Sequence, residues 1–247
     1  MLPRFVRARL YSFHHYWKRL MGSNGKFLSV LMLLCSFVHG NSSIDELKNE
    51  VVRDLYTIPG WCSKEKALNF IDLVLEVRPQ VCVEIGVYGG RSIFPVAKAL
   101  KFLGQGIAIG IDSWDRIDCM KYLDTVVEDP LHADAWGRTD LDSIYRSYLD
   151  MISRHNLEKY CETRKLSSEK AASTIDVIDI LYIDGNHSEI ISVQDVRLYL
   201  PKVRYGGYIW LNDSKWRSLG AAYYLLSQSC DVVLLIDNEN CVLFRKK

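Results

Sequence analysis

The stretch Val81–Ser92 constrains the fold of this chain more than any other part of the sequence. Its first half, Val81–Ile85, is a short apolar run with one acid, Glu84, and its second half contains three glycines. A helical pattern of apolar residues follows over 93–102. Apolar runs of this length are typical of buried parallel strands, and glycines let the backbone turn sharply and approach a ligand closely. The stretch therefore predicts a strand, a tight turn and a helix, which is where open α/β sheets bind ligands.

The glycine turn does not match the dinucleotide fingerprint. Gly86 is followed by Val87 and Tyr88, so the second glycine of G-x-G-x-x-G is missing. The carboxylate of Glu84, close before the turn, would also repel a pyrophosphate. The pattern favours a ligand with a cationic group, although by itself it fits equally well an ordinary corner of any α/β protein.

Composition indicates a globular chain without a strong charge preference. A length of 247 residues suits one α/β domain with extensions, and a net charge of +1 gives no argument for a nucleic-acid partner. The seven cysteines form no C-x-x-C pair, so neither a zinc site nor a disulfide framework is expected. Cys82, Cys230 and Cys241 lie in apolar runs and are predicted to be buried thiols.

The N-terminal segment differs from the rest. Residues 1–26 are basic and aromatic, and Phe27–Val38 is apolar apart from two serines. The apolar run is short for a membrane span, which needs about 20 residues, but it fits a signal-peptide core with a cleavage site ending at Gly40. A membrane-surface anchor and a helical extension packed on the domain are the alternatives. We therefore predict a signal-like or anchor segment over 1–43 and a folded domain over 44–247.

The folded domain shows alternating helical and strand patterns. Ser43 and Ser63 are predicted to cap helices over 44–56 and 64–77. After the opening stretch, strands are predicted over 107–111, 161–166, 179–183 and 208–211, helices over 141–155, 170–174, 189–199 and 220–227, and a turn over 203–207.

The end of the chain reverses the sheet. Asp231–Ile236 and Cys241–Phe244 are strand patterns joined by four residues, and so short a connection makes an antiparallel hairpin. The prediction is an α/β fold with a doubly wound, mostly parallel, seven-stranded sheet and an antiparallel C-terminal hairpin. Residues 115–142 are predicted to be an irregular substrate loop, in which His132 and Asp134 are more typical of surface residues than of ligands.

Acids follow the strands. Asp112 ends the second strand, where an acid accepts hydrogen bonds from ribose hydroxyls; a helix cap is the alternative role. An aromatic residue close behind it, Trp114, is placed to stack on an adenine ring. Asp184–Ser188 follows the fourth strand and Asn212-Asp213 follows the fifth.

These motifs resemble those of class I S-adenosylmethionine-dependent methyltransferases, whose Rossmann-like sheet also has a reversed last strand. Val83–Ser92 resembles the first motif of that family and Gly110–Asp112 the second. Leu181–Ser188 and Leu200–Asp213 resemble the later strands of the branch that contains small-molecule and sugar O-methyltransferases. The resemblance covers about residues 58–245.

The resemblance implies how the methyl donor, S-adenosyl-L-methionine, is held. Glu84 and the glycine turn would bind its amino-acid end and Ser92 its carboxylate, and Asp112 would bind the ribose. Either Trp114 or the Ser167-Ser168 loop would border the adenine. The full set of expected donor-binding residues is Glu84, Gly86, Tyr88, Gly89, Gly90, Ser92, Asp112, Ser113, Trp114 and Ser168.

The acceptor end is predicted from the later strand tips. Asp184, Asn212 and Asp213 follow adjacent parallel strands and should converge, and their oxygens suit Mg²⁺, which would lower the pKa of an acceptor hydroxyl. The resemblance implies the same metal site, with Asn at position 212 as in catechol-type enzymes where sugar enzymes often carry Asp. Without a metal, His187 or Asp184 would act as the base. Asp184 and Asp213 are also compatible with caps and turns of βα loops, and His187 with a capping role.

The sequence therefore predicts a metal-assisted O-methyltransferase for a small hydroxylated molecule or sugar, with no nucleic-acid partner. A metal-free methyltransferase and a membrane-tethered, non-catalytic Rossmann-like binding domain remain the alternatives. A signal peptide would export the domain, whereas the donor is made inside cells. The donor requirement thus favours a cytoplasmic-facing domain that associates with the membrane through residues 1–40, and the sequence leaves the compartment open.

Overall fold

The computed structural model describes residues 43–123, 132–238 and 240–247, without the side chains of 132–134. The signal-peptide or anchor prediction falls outside these ranges except at Ser43, as do the side chains of His132 and Asp134. Residues Leu47–Lys247 form one compact unit that contains the sheet. None of the helices in the described ranges is long and apolar enough for a bilayer crossing.

Two helices precede the sheet. Helix α1 spans 43–55, starting and ending one residue earlier than predicted. Helix α2 spans Lys64–Val77 as predicted, and the Ser63 hydroxyl oxygen accepts a hydrogen bond from the backbone N–H of Lys66 at 3.2 Å. Arg78 caps the C-terminus of this helix in the left-handed conformation, with a φ of 50°.

The sheet confirms the predicted architecture. Within the described ranges it has seven strands in the order β3-β2-β1-β4-β5-β7-β6. Their bounds are β1 Val81–Ile85, β2 Ile107–Asp112, β3 Cys161–Lys165, β4 Ile178–Ile183, β5 Val203–Asn212, β6 Cys230–Ile236 and β7 Cys241–Lys246. Ile85 pairs with Ile111 on β2 and with Ile183 on β4, so these three strands end at the same level. The residues that follow them therefore share one edge of the sheet.

The C-terminal hairpin is present as predicted. β7 lies between β5 and β6 and is antiparallel to both. The predicted turn over 203–207 is wrong, because β5 begins at Val203 and runs through these residues. Gly206 has a φ of +73°, and the register of β5 against β4 shifts between Ile178 and Ile180. This irregularity lets the strand continue past its glycines.

Helices connect the strands. They are α3 Ile93–Leu103, α4 Arg116–Met120, α5 His132–Arg138, α6 Leu141–Arg154, α7 Ser168–Ala171, α8 Glu189–Tyr199 and α9 Gly220–Ser229. The insertion over 115–142 is predicted to be irregular, but it contains α4 and α5. The Asp115 carboxylate accepts hydrogen bonds from the backbone N–H groups of Ile117 and Asp118 and so begins α4. Helices this short have too few turns to show a periodic pattern in the sequence.

The sheet has a hydrophobic core on each face. Ile180 and Tyr182 of β4 pack with residues of α2, α3 and α6. Leu181 and Ile183 point the other way and pack with residues of α8 and α9. Burial on both faces explains why the central strands are nearly continuous apolar runs.

Candidate active site

A cavity of about 630 Å³ lies at the carboxyl edge of the sheet. It is lined by residues that directly follow four strands: Gly86 after β1, Ser113 after β2, Asp184 after β4 and Asp213 after β5. Its volume lies within the range of small-molecule and cofactor sites. The topology therefore brings the predicted strand-tip residues to one site.

Gly86 lets two strand ends pass close together. Its backbone N–H donates to the carbonyl oxygen of Ile111 at 2.9 Å. A Cβ at this position would lie 2.1 Å from the carbonyl oxygen of Asp184, and the φ of Gly86 is +85°. Only glycine fits this crossing point of β1, β2 and β4.

The other two glycines of the turn do not border the cavity. A Cβ on Gly89 would lie 2.5 Å from the carbonyl oxygen of Pro59, and one on Gly90 would lie 2.7 Å from the Tyr148 ring. The predicted role of these two glycines, making room for the ligand, therefore has no support from the cavity lining. They let the turn pack against the segment before α2 and against α6.

Glu84 is a core residue in this structure. It is 4% exposed and accepts a 2.5 Å hydrogen bond from the Ser92 hydroxyl, and it does not line the cavity. Burial raises its pKa well above the ordinary range, although the bond from Ser92 lowers it. The Glu84 carboxylate is thus engaged by Ser92, and its contact with the donor stays a prediction. Arg91 does line the cavity, and its Nε donates to the carbonyl oxygen of Ile58 at 2.6 Å, so its remaining N–H groups suit a carboxylate.

Asp112 fastens the tip of β2 to the glycine turn. Its Oδ2 accepts hydrogen bonds from the backbone N–H groups of Val87 at 3.0 Å and Tyr88 at 2.9 Å, and its Oδ1 accepts one from Trp114 at 2.8 Å. Burial raises the pKa of this carboxyl, and the three backbone N–H groups oppose the rise. A carboxylate has about four lone-pair positions, so one remains for a hydroxyl in the cavity that Asp112 lines.

Trp114, predicted to border an adenine, lies in the core of this structure. It is 4% exposed and absent from the cavity lining. Its indole N–H donates to the carbonyl oxygen of Tyr88 at 2.9 Å, and its ring stacks on Tyr148 with a centroid distance of 5.3 Å. A buried indole needs an acceptor for its N–H, and Tyr88, with a φ of +52°, provides it.

The loop before α7 provides the opposite wall. Ser168 lines the cavity, and its hydroxyl donates a 2.5 Å hydrogen bond to Oδ1 of Asp195. Asp195, on α8, also lines the cavity although it is only 1% exposed, and it is not among the residues predicted from the sequence. Burial raises its pKa to about 7, with the bond from Ser168 opposing. An acid that shares the buried face of α8 with Val196 and Tyr199 was the available signal.

The predicted acceptor-end residues lie together. Asn212 Nδ2 donates to Oδ1 of Asp184 at 2.8 Å and to Oδ2 of Asp213 at 2.7 Å. His187 Nε2 lies 2.8 Å from the same Asp213 oxygen. One ligand atom from each of Asp184, His187 and Asp213 lies within 4.8 Å of the others.

Burial and neighbouring charges set the protonation of this cluster. Burial, reinforced by the charge of Asp213, raises the pKa of Asp184 to about 6. Burial would lower the pKa of His187, but its hydrogen bond and charge interaction with Asp213 raise it above the usual value. Burial would raise the pKa of Asp213, and His187 lowers it. His187 and Asp213 therefore favour each other's charged forms, and Asp184 is the carboxyl of this cluster with the raised pKa.

Lys66 reaches the same cluster from α2. It is 3% exposed and lines the cavity. Its ammonium donates to Oδ1 of Asn212 at 2.6 Å and lies 3.1 Å from Oδ2 of Asp237. Lys66 is not among the site residues predicted from the sequence, although a lysine that shares the buried face of α2 with Phe70 and Leu73 is a detectable signal.

The predicted all-oxygen magnesium site does not fit these contacts. An ammonium only donates hydrogen bonds, so the amide oxygen of Asn212 faces Lys66 and its NH₂ group faces Asp184 and Asp213. The predicted site needs the Asn212 amide oxygen beside the two carboxylates, but that oxygen accepts from Lys66 and the amide NH₂ group faces the carboxylates instead.

The sequence places this site in a known family. A family described as "Methyltransferase domain" matches residues 83–214, which is more than half of the chain and runs from β1 to just beyond β5. The chain is a class I S-adenosylmethionine-dependent methyltransferase. A search of curated protein sequences gives no match.

Solved structures of methyltransferases share the fold. The O-methyltransferase from Bacillus cereus in complex with SAH is 16% identical, with 82% of this chain and 91% of that chain covered and a TM-score of 0.54. The O-methyltransferase NovP is 17% identical over 74% of this chain and 80% of its own, with a TM-score of 0.57. The O-methyltransferase TomG from Streptomyces achromogenes, solved in complex with SAM, is 13% identical over 83% of this chain and 89% of its own, with a TM-score of 0.55.

We call the part of the cavity lined by the residues predicted to bind the donor its donor end, and the part lined by Asp184, His187, Asn212 and Asp213 its acceptor end. The predicted residues that line it are Gly86, Tyr88, Ser92, Asp112, Ser113, Ser168, Asp184, His187, Asn212 and Asp213. The predicted residues that do not line it are Glu84, Gly89, Gly90 and Trp114.

Proposed function

We propose that this methyltransferase transfers the methyl group of S-adenosyl-L-methionine to a hydroxyl oxygen of a small hydroxylated molecule or sugar. The acceptor oxygen attacks the methyl carbon, the carbon–sulfur bond breaks, and S-adenosylhomocysteine leaves. The proton of the hydroxyl passes to Asp184. Such an in-line displacement depends mainly on positioning the two reactants and deprotonating the acceptor.

One observation supports this proposal above the others. Asp184 lies at the tip of β4, lines the cavity and has a pKa raised to about 6. A general base works best when its pKa is near the working pH. The pKa of an ordinary surface carboxylate is too low to meet this condition. His187 is the alternative base, but its Nε2 is already engaged by Asp213.

Metal-assisted methylation is the second candidate. The ligand atoms of Asp184, His187 and Asp213 lie within 4.8 Å of one another, which favours it. Two carboxylates and an imidazole are a different ligand set from the one predicted from sequence, because His187 replaces Asn212. A bound Mg²⁺ would supply charge that stabilises the acceptor oxyanion.

The test compares donor binding with turnover in the full chain. We expect S-adenosylhomocysteine to bind in a calorimetric titration, and S-adenosylmethionine to be consumed with one acceptor from a panel of catechols and methyl glycosides. Asp184→Asn removes the base, so turnover should fall by about 10²–10⁴-fold while S-adenosylhomocysteine affinity stays within about threefold.

The control is Asp72→Asn, an acid half-exposed at an ion pair with Lys48 on the outer surface, which should change neither quantity. Failure of the wild-type chain to bind S-adenosylhomocysteine would contradict the donor assignment. Loss of turnover after dialysis against EDTA, restored by Mg²⁺, would select the metal-assisted candidate.

A further inference from the structure

The acceptor end of the cavity contains a lysine among carboxylates. An ammonium has three N–H donors. The contacts of Lys66 with Asn212 Oδ1 and Asp237 Oδ2 use two of them. The side chain also lines the cavity, so the third N–H is available to a molecule that enters the acceptor end.

The contact with Lys66 also sets which atoms of the Asn212 amide face the two carboxylates. Because the Asn212 carbonyl accepts from Lys66 at 2.6 Å, the Asn212 NH₂ group lies between Asp184 and Asp213, at 2.8 and 2.7 Å. Donor N–H groups thus occupy the space between the two carboxylates. A cation entering there would face these N–H groups and, beyond them, the fixed positive charge of Lys66.

We propose that the Lys66 ammonium takes the place of a divalent cation in this methyltransferase. It holds the Asn212 amide in its observed orientation and donates its third N–H to the acceptor oxygen as negative charge develops there. Preorganised donors of this kind stabilise an oxyanion without reorganising during the reaction. The role at the oxyanion rests on the proposed function, whereas the exclusion of metal can be measured without a known acceptor.

The experiment titrates Mn²⁺ into the full chain and follows the free ion by electron paramagnetic resonance. We expect the wild type to show no site-specific binding. Lys66→Met removes the charge and frees the Asn212 carbonyl, so it should gain one Mn²⁺ site with binding at least about tenfold tighter than the wild type. Lys66→Met with Asp184→Asn should lose that site.

Two variants serve as matched controls. Lys98→Met removes another buried lysine, paired with Glu50 and absent from the cavity lining, and should leave Mn²⁺ binding unchanged. Lys66→Arg keeps the positive charge and should not gain a site. Circular dichroism and an S-adenosylhomocysteine titration check that each variant folds and retains the donor end.

Tight Mn²⁺ binding by the wild type, abolished by Asp184→Asn, would overturn the proposal even if Lys66→Met does not fold. A folded Lys66→Met variant that gains no site would also overturn it. Both results leave the donor assignment intact, because that assignment depends on S-adenosylhomocysteine binding alone. In an active assay, Lys66→Met should lower turnover by about 10²-fold or more, and EDTA should not affect the wild type.

Discussion

Acids that are buried or half-buried hold the walls of this site together through their hydrogen bonds. Asp112 accepts three backbone N–H groups and Asp195 accepts the Ser168 hydroxyl. Asp184 accepts the Tyr182 hydroxyl at 2.9 Å and the Asn212 amide. Burial raises the pKa of each of the three acids. The site therefore holds its acids at a cost in folding free energy that depends on pH.

Asp195 makes this cost measurable. Its pKa of about 7 in the folded state lies above the ordinary value of 3.8, so the folded state binds a proton that the unfolded state has released between these two values. Stability falls as pH rises through this window. Asp195→Asn removes the cost, so its gain over wild type in the free energy of unfolding should be up to about 3 kcal/mol larger at pH 8 than at pH 5.

Urea unfolding without ligand at the two pH values gives this difference. Asp140→Asn is the control, because this exposed cap of α6 has a lowered pKa caused by the backbone N–H of Ser143. Its contribution is lost only as pH falls through the acid range, so the variant should differ from wild type equally at pH 5 and pH 8. A gain of Asp195→Asn that does not change with pH would show that burial does not disfavour the ionised carboxylate.

At the scale of elements, the turn after β1 is the point at which several segments meet. Gly86 touches the start of the β4 loop, Gly89 touches the segment before α2, and Gly90 touches α6. The Asp112 carboxylate then ties the turn to β2. The turn is thus specified by packing between segments that are far apart in sequence.

Alanine substitutions at two glycines with similar backbone conformations distinguish the cost of that conformation from the cost of a steric clash. Gly86 and Gly104 have φ of +85° and +67°, but a Cβ on Gly104 would meet no atom within 4 Å. Gly104→Ala should therefore cost only the left-handed conformation, about 1 kcal/mol. Gly86→Ala adds a clash with the Asp184 backbone and should lower the free energy of unfolding by more than about 4 kcal/mol.

Urea unfolding of both variants and the wild type measures these costs. Equal losses for the two variants would show that the strand ends can separate to admit a methyl group. The larger loss at Gly86 should be accompanied by weaker S-adenosylhomocysteine binding, because the same turn lines the donor end.

At the scale of the whole molecule, one sheet divides the interior into two cores. Ile71 of α2 belongs to the core on one face and Ile209 of β5 to the core on the other, and both are fully buried. The cavity lies at the edge of the sheet between the helical layers. Stability should therefore come from two separate sets of contacts joined by the strands.

Double substitution tests this division. Ile71→Val and Ile209→Val should each lower the free energy of unfolding by about 0.5–1.5 kcal/mol. Because the two residues share no cluster, the double variant should equal their sum to within about 0.5 kcal/mol. A coupling larger than this in denaturant titrations would mean that the faces do not pack independently.

The sequence by itself determined the order and type of the main elements. Val81–Ile85 is a strand as predicted because strands buried on both faces are continuous apolar runs. The β6–β7 hairpin follows from a connection too short for any other pairing. The meeting of Asp184 with Asn212 and Asp213 also follows, because residues after parallel strands share one edge.

Only the tertiary structure decided what each side chain contacts. Trp114 lies in the core, where its indole N–H donates to a backbone carbonyl oxygen. Glu84 accepts a hydrogen bond from the Ser92 hydroxyl. Lys66 meets Asn212 across 146 positions of sequence, and that contact sets which atoms of the amide face the carboxylates. Local patterns do not specify such contacts, because hydrogen-bond partners and close packing come from segments that only the folded chain brings together.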